Sequence, residues 1–244
     1  GLTNHVSDDR IRERLASLAM VADGVGGAAK GEVASRVALE AVTQFVSRSM
    51  RCYYAAGSAD DQEFYDALRE AARQSHEELL RQGEEDADFR GMATTLTLFL
   101  GVWPRAYLLQ VGDSRCYLLR DGELAQITRD QTMAQEMVDA GIMSPADAAG
   151  TRLAHTLSSS IGGRQTAPVV TGLDMTWGHV VLPCSDGLTN HVSDDRIRER
   201  LRSMTSARQA CEDLLQEALE GGGSDNITII VGRAVSTSEI DPRP

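Results

Sequence analysis

Four aspartates lie where a strand is predicted to end or a tight turn to form: Asp23 in VADGVGG, Asp113 in QVGDSR, Asp186 in PCSDG and Asp225 in GSDNIT. Flanking glycines allow close backbone approach, so each carboxylate is expected at the rim of a sheet. Carboxylates that converge there repel one another unless a cation lies among them. A single Asp-Gly step is usually only a turn. The joint occurrence of four such sites predicts a centre for Mg²⁺ or Mn²⁺, which prefer oxygen ligands.

The elements that must carry these aspartates follow from hydrophobic periodicity and turn signals. Asp121-Gly122 is a strong hairpin signal, and Thr132 and Ser206 are placed to cap helices. The strands between residues 94 and 128 follow one another through tight turns, which implies an antiparallel sheet. The predicted strands cover residues 18–22, 94–103, 106–111, 116–119, 123–128, 169–174, 179–184 and 227–231. The predicted helices cover residues 31–48, 64–79, 132–141, a short segment from 144, and 206–220. Antiparallel strands with segregated helix pairs favour an α+β layered domain.

Composition narrows the class of protein. The 244 residues are 42% hydrophobic and carry a net charge of −12, with 36 acidic against 24 basic residues. An acidic surface repels nucleic acid and anionic lipid, so neither is expected as a partner. The longest apolar run, residues 96–103, is too short to span a bilayer, and the start of the chain does not resemble a signal peptide. Four cysteines without C-x-x-C spacing suggest no disulfide framework. We therefore expect a cytoplasmic protein, with one domain over residues 1–235 and a polar tail over 236–244.

The segments VADGVGG, GMATTLTL, QVGDSRCYL, CSDGL and GGSDNITIIV occur in this order between residues 18 and 231. This ordered set resembles the metal-dependent protein serine/threonine phosphatases (PPM family, type 2C), in their compact bacterial form. The resemblance implies an αββα sandwich, two antiparallel sheets flanked by helix pairs. It also implies hydrolysis of phosphoserine and phosphothreonine in proteins by a metal-activated water, with no covalent enzyme intermediate. The implied partners are phosphorylated proteins and an opposing serine/threonine kinase, and the implied state is a monomer.

The resemblance also implies roles for individual residues. Asp23 would bridge two metal ions, and the Gly24 carbonyl would ligate one of them directly or through water. Asp186 and Asp225 would hold the first ion, and Asp113 with Asp186 would bind a third ion seen in bacterial members. Two or three Mn²⁺ or Mg²⁺ ions per chain are therefore expected, with Asp23, Asp186 and Asp225 as the catalytic set.

Other segments acquire roles from the same resemblance. Asn226 would steady the Asp225 loop, and residues 91–95 would pack beneath the site, with Ala93 in place of a family glycine. Residues 128–163 would include a flap beside the cleft that affects substrate choice. Val25 stands where some members have a histidine. His155, near the end of the flap, could contribute to proton transfer, although a lone histidine is more often structural.

The N-terminus departs from the family pattern. Residues 1–15, GLTNHVSDDRIRERL, repeat residues 187–201 letter for letter. The repeat is either a recombination or sequence-assembly scar or a copied segment that the fold tolerates. Asn4 stands where the family has a phosphate-gripping arginine, and Asp9 stands near the place of an acidic metal ligand. Asp9 could substitute as a ligand, or the tract could be a duplicated helix start with a surface aspartate, which we favour. Loss of the arginine predicts weakened substrate binding but intact metal binding.

Two other functions compete with this interpretation. Gly24, Gly26 and Ala29 satisfy the G-x-G-x-x-G/A pattern of a dinucleotide-binding module. However, Asp23 would repel a pyrophosphate, and residues 43–46 are predicted to be helical where a second strand would be needed. The second alternative is a catalytically impaired pseudophosphatase that acts as a binding or regulatory domain. The altered N-terminus favours it, and the four intact aspartates argue against it.

Overall fold

Two antiparallel sheets form the centre of the fold. The computed structural model describes residues 2–4, 14–56 and 61–236. The strands are β1 (Leu2–Asn4), β2 (Arg14–Val21), β3 (Gly24–Val25), β4 (Ala93–Thr94), β5 (Leu96–Val102), β6 (Arg105–Val111), β7 (Arg115–Arg120), β8 (Glu123–Gln126), β9 (Val169–Asp174), β10 (Val180–Cys184) and β11 (Gly232–Arg233). The first sheet has the order β1-β2-β5-β6-β9 and the second has the order β11-β10-β7-β8, while β3 and β4 pair separately.

Helix pairs cover the outer faces of both sheets, and shorter helices lie in the connecting segments. They are α1 (Ala28–Ala56), α2 (Asp61–Glu85), α3 (Met133–Asp139), α4 (Pro145–Ala149), α5 (Asp186–Thr189), α6 (Asp194–Ser203) and α7 (Ala207–Glu220), with short 3₁₀ turns at Ala87–Phe89 and Arg152–His155. Helices α1 and α2 share one buried apolar cluster with β5 and β6. Helices α6 and α7 share a second cluster with β7 and β10. The predicted α+β class and the αββα layering are therefore confirmed.

A third cluster fills the space between the two sheets. Phe99 and Leu108 of the first sheet pack there with Leu118 and Val181 of the second. The helical spacing of Ala34, Ala38, Ala41 and Phe45 in the sequence predicts that they share the inner face of α1. Ala34 and Ala38 are buried together with Val42 and Val46, whereas Ala41 and Phe45 are only partly buried.

The strands between residues 94 and 128 are antiparallel but do not form one sheet, which corrects the prediction. The hairpin β5–β6 belongs to the first sheet, and the hairpin β7–β8 belongs to the second. The chain changes sheets at Gly112, whose φ of 99° lies in the region that favours glycine. The two sheets therefore meet at the loop that carries Asp113. The predicted Asp121-Gly122 hairpin is confirmed, and both of its turn residues have positive φ.

The predicted strand over residues 227–231 is wrong in its extent. Regular pairing with β10 is confined to β11, whereas residues 227–231 make an isolated bridge from Ile229 to Cys184. The amide of Ile230 donates to the carbonyl of Pro183, at 3.0 Å. Proline has no N–H to return that bond, so the ladder is interrupted at this point.

The two copies of the duplicated segment differ in local structure. In the second copy, residues 187–201 run through α5 and α6. In the first copy, Leu2–Asn4 form β1, which pairs with β2 from Arg14 to Ala16. Asp9 and residues 5–13 lie outside the described residues, as do residues 237–244 of the predicted tail. Among the described helices, none combines the length and the apolarity that a membrane span requires.

Candidate metal centre

The backbone of Asp23 is fixed by Thr94, the last residue of β4, and by Thr95, which precedes β5. The Asp23 amide donates to the Thr95 hydroxyl at 2.9 Å, and the Thr95 amide donates to the Asp23 carbonyl at 2.8 Å. The Thr94 hydroxyl donates to the same carbonyl at 2.9 Å. The Thr95 hydroxyl also shares a 2.6 Å hydrogen bond with Ser114, beside Asp113. Residues 91–95 therefore lie beneath the Asp23 turn, as the sequence predicted.

Gly24 packs against the first turn of α1. A Cβ at Gly24 would lie 2.1 Å from the Gly31 carbonyl oxygen, and a Cβ at Gly31 would lie 2.8 Å from the Gly24 carbonyl. Neither site has room for a side chain. This contact holds the Asp23-Gly24 turn against the helix, and sequence analysis did not identify Gly31 as part of it.

The loop of Asp113 is joined to the root of the predicted flap. The Gly112 amide donates to the Gln131 side-chain oxygen at 2.8 Å, and the Gln131 amide donates to the Gly112 carbonyl at 3.1 Å. The side chain of Gln110 donates to the carbonyls of both Gly112 and Arg129. Gln110 is buried in β6 and is a second residue that sequence analysis missed, because a polar residue within a strand carries no motif.

The loops of Asp186 and Asp225 lie against each other. The Ser185 hydroxyl donates to the Asn226 carbonyl at 3.1 Å and accepts from the Thr228 amide at 3.0 Å. A Cβ at Gly187 would lie 2.3 Å from the Asn226 carbonyl oxygen. Asn226 therefore holds this junction through its backbone, and its amide also donates to the Asp225 carboxylate at 2.7 Å.

The four aspartates interact electrostatically at this end of the sandwich. Burial, then the charge of Asp186 and a hydrogen bond with it, then the charge of Asp225, raise the pKa of Asp23 to about 7. Burial, followed by the charges of Asp186, Asp130 and Asp23, raises the pKa of Asp113 to about 7. All the charged groups that raise these two pKa values are carboxylates. The site is therefore a concentration of negative charge.

This donor set fits a hard divalent cation, which prefers carboxylate and carbonyl oxygens. However, in residues 2–4, 14–56 and 61–236 no three His, Cys, Asp or Glu side chains lie close enough together to enclose an ion. The aspartates are thus neighbours rather than a preformed cage.

A groove of about 470 Å³ runs from the aspartates to the flap. Asp113 and Asp186 line one side, and α3, α4 and His155 line the other. Arg115 lies in its wall but is bound to Asp130 through two nitrogens at 2.7–3.1 Å. Burial acts to lower the pKa of Arg115, but its hydrogen bonds to Asp130 and the charge of that carboxylate raise it above its usual value. The flap therefore lies beside the cleft, as predicted. Arg115 lines the same groove, but its guanidinium group is ion-paired with Asp130.

A model of the protein phosphatase 2C family matches residues 3–221. The chain belongs to the protein phosphatase 2C family. It is 37% identical over 223 residues to serine/threonine protein phosphatase PstP of Mycobacterium tuberculosis, covering 90% of this chain but only 41% of that protein. It is 30% identical over 215 residues to serine/threonine phosphatase stp of Listeria monocytogenes, covering 88% of this chain and 83% of that protein.

Solved structures of this phosphatase 2C family show the same fold. The crystal structure of PstP from Mycobacterium tuberculosis matches with a TM-score of 0.78 at 32% identity, covering 96% of this chain and 97% of that chain. The catalytic domain of PstP in complex with two manganese ions matches with a TM-score of 0.75 at 33% identity, covering 96% of each chain. The predicted family is confirmed, and the relatives are named as serine/threonine phosphatases. The antiparallel sheets exclude the dinucleotide-binding alternative, and the relatives do not favour the pseudophosphatase alternative.

Proposed function

We propose that this chain hydrolyses phosphoserine and phosphothreonine in proteins in a reaction that requires divalent metal ions. The observation that carries the proposal is the proximity of Asp23, Asp113, Asp186 and Asp225, which come from four separate parts of the chain. The charges of Asp186 and Asp225 raise the pKa of Asp23, and the charges of Asp186 and Asp23 raise the pKa of Asp113. Asp113 and Asp186 line a groove of about 470 Å³, which is large enough to admit a phosphorylated side chain. Because carboxylates placed in this way favour a bound cation, the site suits metal-assisted phosphoester hydrolysis.

Each aspartate has a role in this proposal. Asp23 would bridge two ions with help from the Gly24 carbonyl, Asp186 and Asp225 would hold the first ion, and Asp113 with Asp186 would hold a third. When bound, such ions activate water and neutralise charge on phosphoryl oxygens. The chain itself orients these ligands through Thr94, Thr95 and the loop contacts of Asp113, Asp186 and Asp225. The PstP domain with two manganese ions supports Mn²⁺ as the first ion to test.

The altered N-terminus bears on substrate affinity. Asn4 stands where the family pattern has an arginine, and Arg115 in the groove is already paired with Asp130. We propose that this chain binds the substrate phosphate more weakly than relatives that keep the arginine, and that the weaker binding raises KM. Asp9 remains a proposed additional ligand.

The proposed setting is a cytoplasmic monomer that opposes a serine/threonine kinase. Support comes from the net charge of −12, which disfavours nucleic acid and anionic membranes, and from relatives named as serine/threonine phosphatases. Light scattering coupled to size-exclusion chromatography tests the monomer directly. A mass near twice 26.4 kDa would contradict it.

The experiment for the activity measures Mn²⁺-dependent release of phosphate from p-nitrophenyl phosphate and from a phosphothreonine peptide. Asp23→Asn and Asp186→Asn should each lower kcat/KM by about two orders of magnitude or more. Asp66→Asn is the matched control, since Asp66 pairs only with exposed partners on α2 and should leave the rate unchanged. Bound Mn²⁺ without turnover in the unsubstituted protein would instead indicate a binding domain.

A further inference from the structure

The side chain of His191 is hydrogen-bonded to the loop that leads to Asp225. Its Nδ1 lies 3.1 Å from the Gly221 carbonyl oxygen, and its Nε2 lies 3.0 Å from the Ser224 hydroxyl. The backbone amide of Ser224 donates to Nε2 at 3.2 Å. Both ring nitrogens are therefore engaged by the four-residue segment 221–224, immediately before Asp225.

These contacts specify one protonation form of the ring. An amide N–H can only donate, so Nε2 must accept from Ser224 and cannot carry a proton. The remaining proton is then on Nδ1, where it can donate to the Gly221 carbonyl. A ring with its proton on Nδ1 satisfies every contact. A proton on Nε2 would instead place two N–H donors, that of the ring and that of Ser224, against each other.

The loop is shaped closely around this ring. Gly222 and Gly223 have φ values of 131° and 52°, a backbone conformation that side chains rarely adopt. A Cβ at Gly221 would lie 3.1 Å from the His191 Cβ, and a Cβ at Gly222 would lie 3.4 Å from its Cε1. Three glycines in succession would otherwise leave the loop many conformations. The two hydrogen-bonded ends of the imidazole select one of them.

His191 also lies close in the chain to Asp186. It follows Asn190, whose side-chain amide donates to the Asp186 carboxylate at 3.1 Å. The loop it holds ends at Asp225, whose charge raises the pKa of Asp23. The imidazole therefore connects the segment of one aspartate to the loop of another.

We propose that His191 is a positioning residue for the metal centre: by holding residues 221–224, it sets the separation between the Asp225 and Asp186 carboxylates. This inference rests on the proposed function in one respect, that Asp225 and Asp186 are metal ligands. Substituting a residue that orients metal ligands without contacting the ion itself typically changes metal affinity by 10–100-fold. Loss of the His191 contacts should therefore weaken metal binding without removing any ligand.

The test compares His191→Phe with His179→Phe. His179 is a matched control because it is buried at the far end of β10 and bonds Thr176 through both ring nitrogens. Isothermal titration with Mn²⁺ should give a dissociation constant roughly tenfold higher for His191→Phe and an unchanged one for His179→Phe. The Mn²⁺ concentration for half-maximal activity should rise in parallel for His191→Phe, while kcat at saturating Mn²⁺ stays within about twofold.

A second measurement uses the unsubstituted protein and therefore does not require any variant to fold. Long-range ¹H–¹⁵N spectra of the unsubstituted protein should show His191 as the Nδ1–H tautomer. An Nε2–H tautomer, or equal Mn²⁺ affinity in His191→Phe and the unsubstituted protein, would overturn the positioning role. Failure of the unsubstituted protein to bind Mn²⁺ would instead overturn the proposed function on which this inference rests.

Discussion

Asp23 and Thr95, 72 residues apart in sequence, are joined by two hydrogen bonds: the Thr95 amide donates to the Asp23 carbonyl, and the Thr95 hydroxyl accepts from the Asp23 amide. The same hydroxyl is bonded to Ser114, next to Asp113. One buried threonine thus joins two of the turns that carry the candidate ligands. The positions of Asp23 and Asp113 are therefore coupled through the interior of the protein, in addition to any ion that they share.

Replacing Thr95 with valine keeps the shape but removes this junction. The Asp23 amide and the Ser114 hydroxyl lose their partner, which should lower the free energy of unfolding by about 1–3 kcal/mol. Mn²⁺ binding should weaken as well, because the Asp23 turn is no longer held. Urea denaturation and isothermal titration measure the two effects. Thr97→Val is the control: the Thr97 hydroxyl donates to the Ser114 carbonyl rather than contacting the Asp23 turn, so the substitution should cost stability but leave Mn²⁺ affinity unchanged. Equal loss of affinity in both variants would contradict the assignment.

Gly31→Ala tests the contact between the Asp23-Gly24 turn and α1. The new Cβ would lie 2.8 Å from the Gly24 carbonyl, so the turn or the helix must shift, although alanine is otherwise the better helix former. We expect a loss of about 1–3 kcal/mol in stability together with weaker Mn²⁺ binding. Gly150→Ala, where no atom lies within 4 Å of the new Cβ, should be close to neutral. A Gly31→Ala protein as stable as the unsubstituted chain would show that the contact does not matter.

The raised pKa values make a prediction for the metal-free protein. The pKa of Asp113 is about 7 in the folded state and 3.8 as the reference value for an unperturbed aspartate. Between these values the folded state binds more protons than the unfolded state, so stability falls as pH rises from about 4 to 7. Asp113→Asn in EDTA should therefore raise the free energy of unfolding by about 1–3 kcal/mol at pH 8 and by little at pH 4.

Thermal melts from pH 4 to pH 8 with EDTA measure this difference. A stability gain that is the same at every pH would argue against charge repulsion as its source. A loss of stability at pH 8 would show that the surroundings of Asp113 stabilise its charged carboxylate, instead of disfavouring it through burial and neighbouring negative charges.

Much of the fold was predictable because the relevant signals are local. The periodicity of α2 places Phe64, Leu68 and Leu79 inward, and all three are buried. The hydroxyls of Thr132 and Ser206 cap α3 and α7 as the capping pattern requires. In each case the side chain that gives the signal also makes the contact, so a short window of sequence contains the information.

What could not be predicted depends on contacts between distant segments. The hairpins β5–β6 and β7–β8 belong to different sheets because the chain passes from one sheet to the other at Gly112. The pairing beside Pro183 is broken because Ile230 is the neighbour that faces this proline, which has no N–H to donate. The four aspartates were found through their motifs. Thr95 was placed beneath the site by its motif as well. No such motif marks Gly31, Gln110 or His191, which become recognisable only when their partners are known.

Direct titration with Mn²⁺ tests whether Asp23, Asp113, Asp186 and Asp225 bind divalent cations together. We expect at least two Mn²⁺ ions per chain for the unsubstituted protein and the loss of at least one of them in Asp23→Asn, with Asp66→Asn unchanged. If the unsubstituted protein binds no ion in millimolar Mn²⁺, or if Asp23→Asn binds as many ions with the same affinity, the proposed metal centre is wrong.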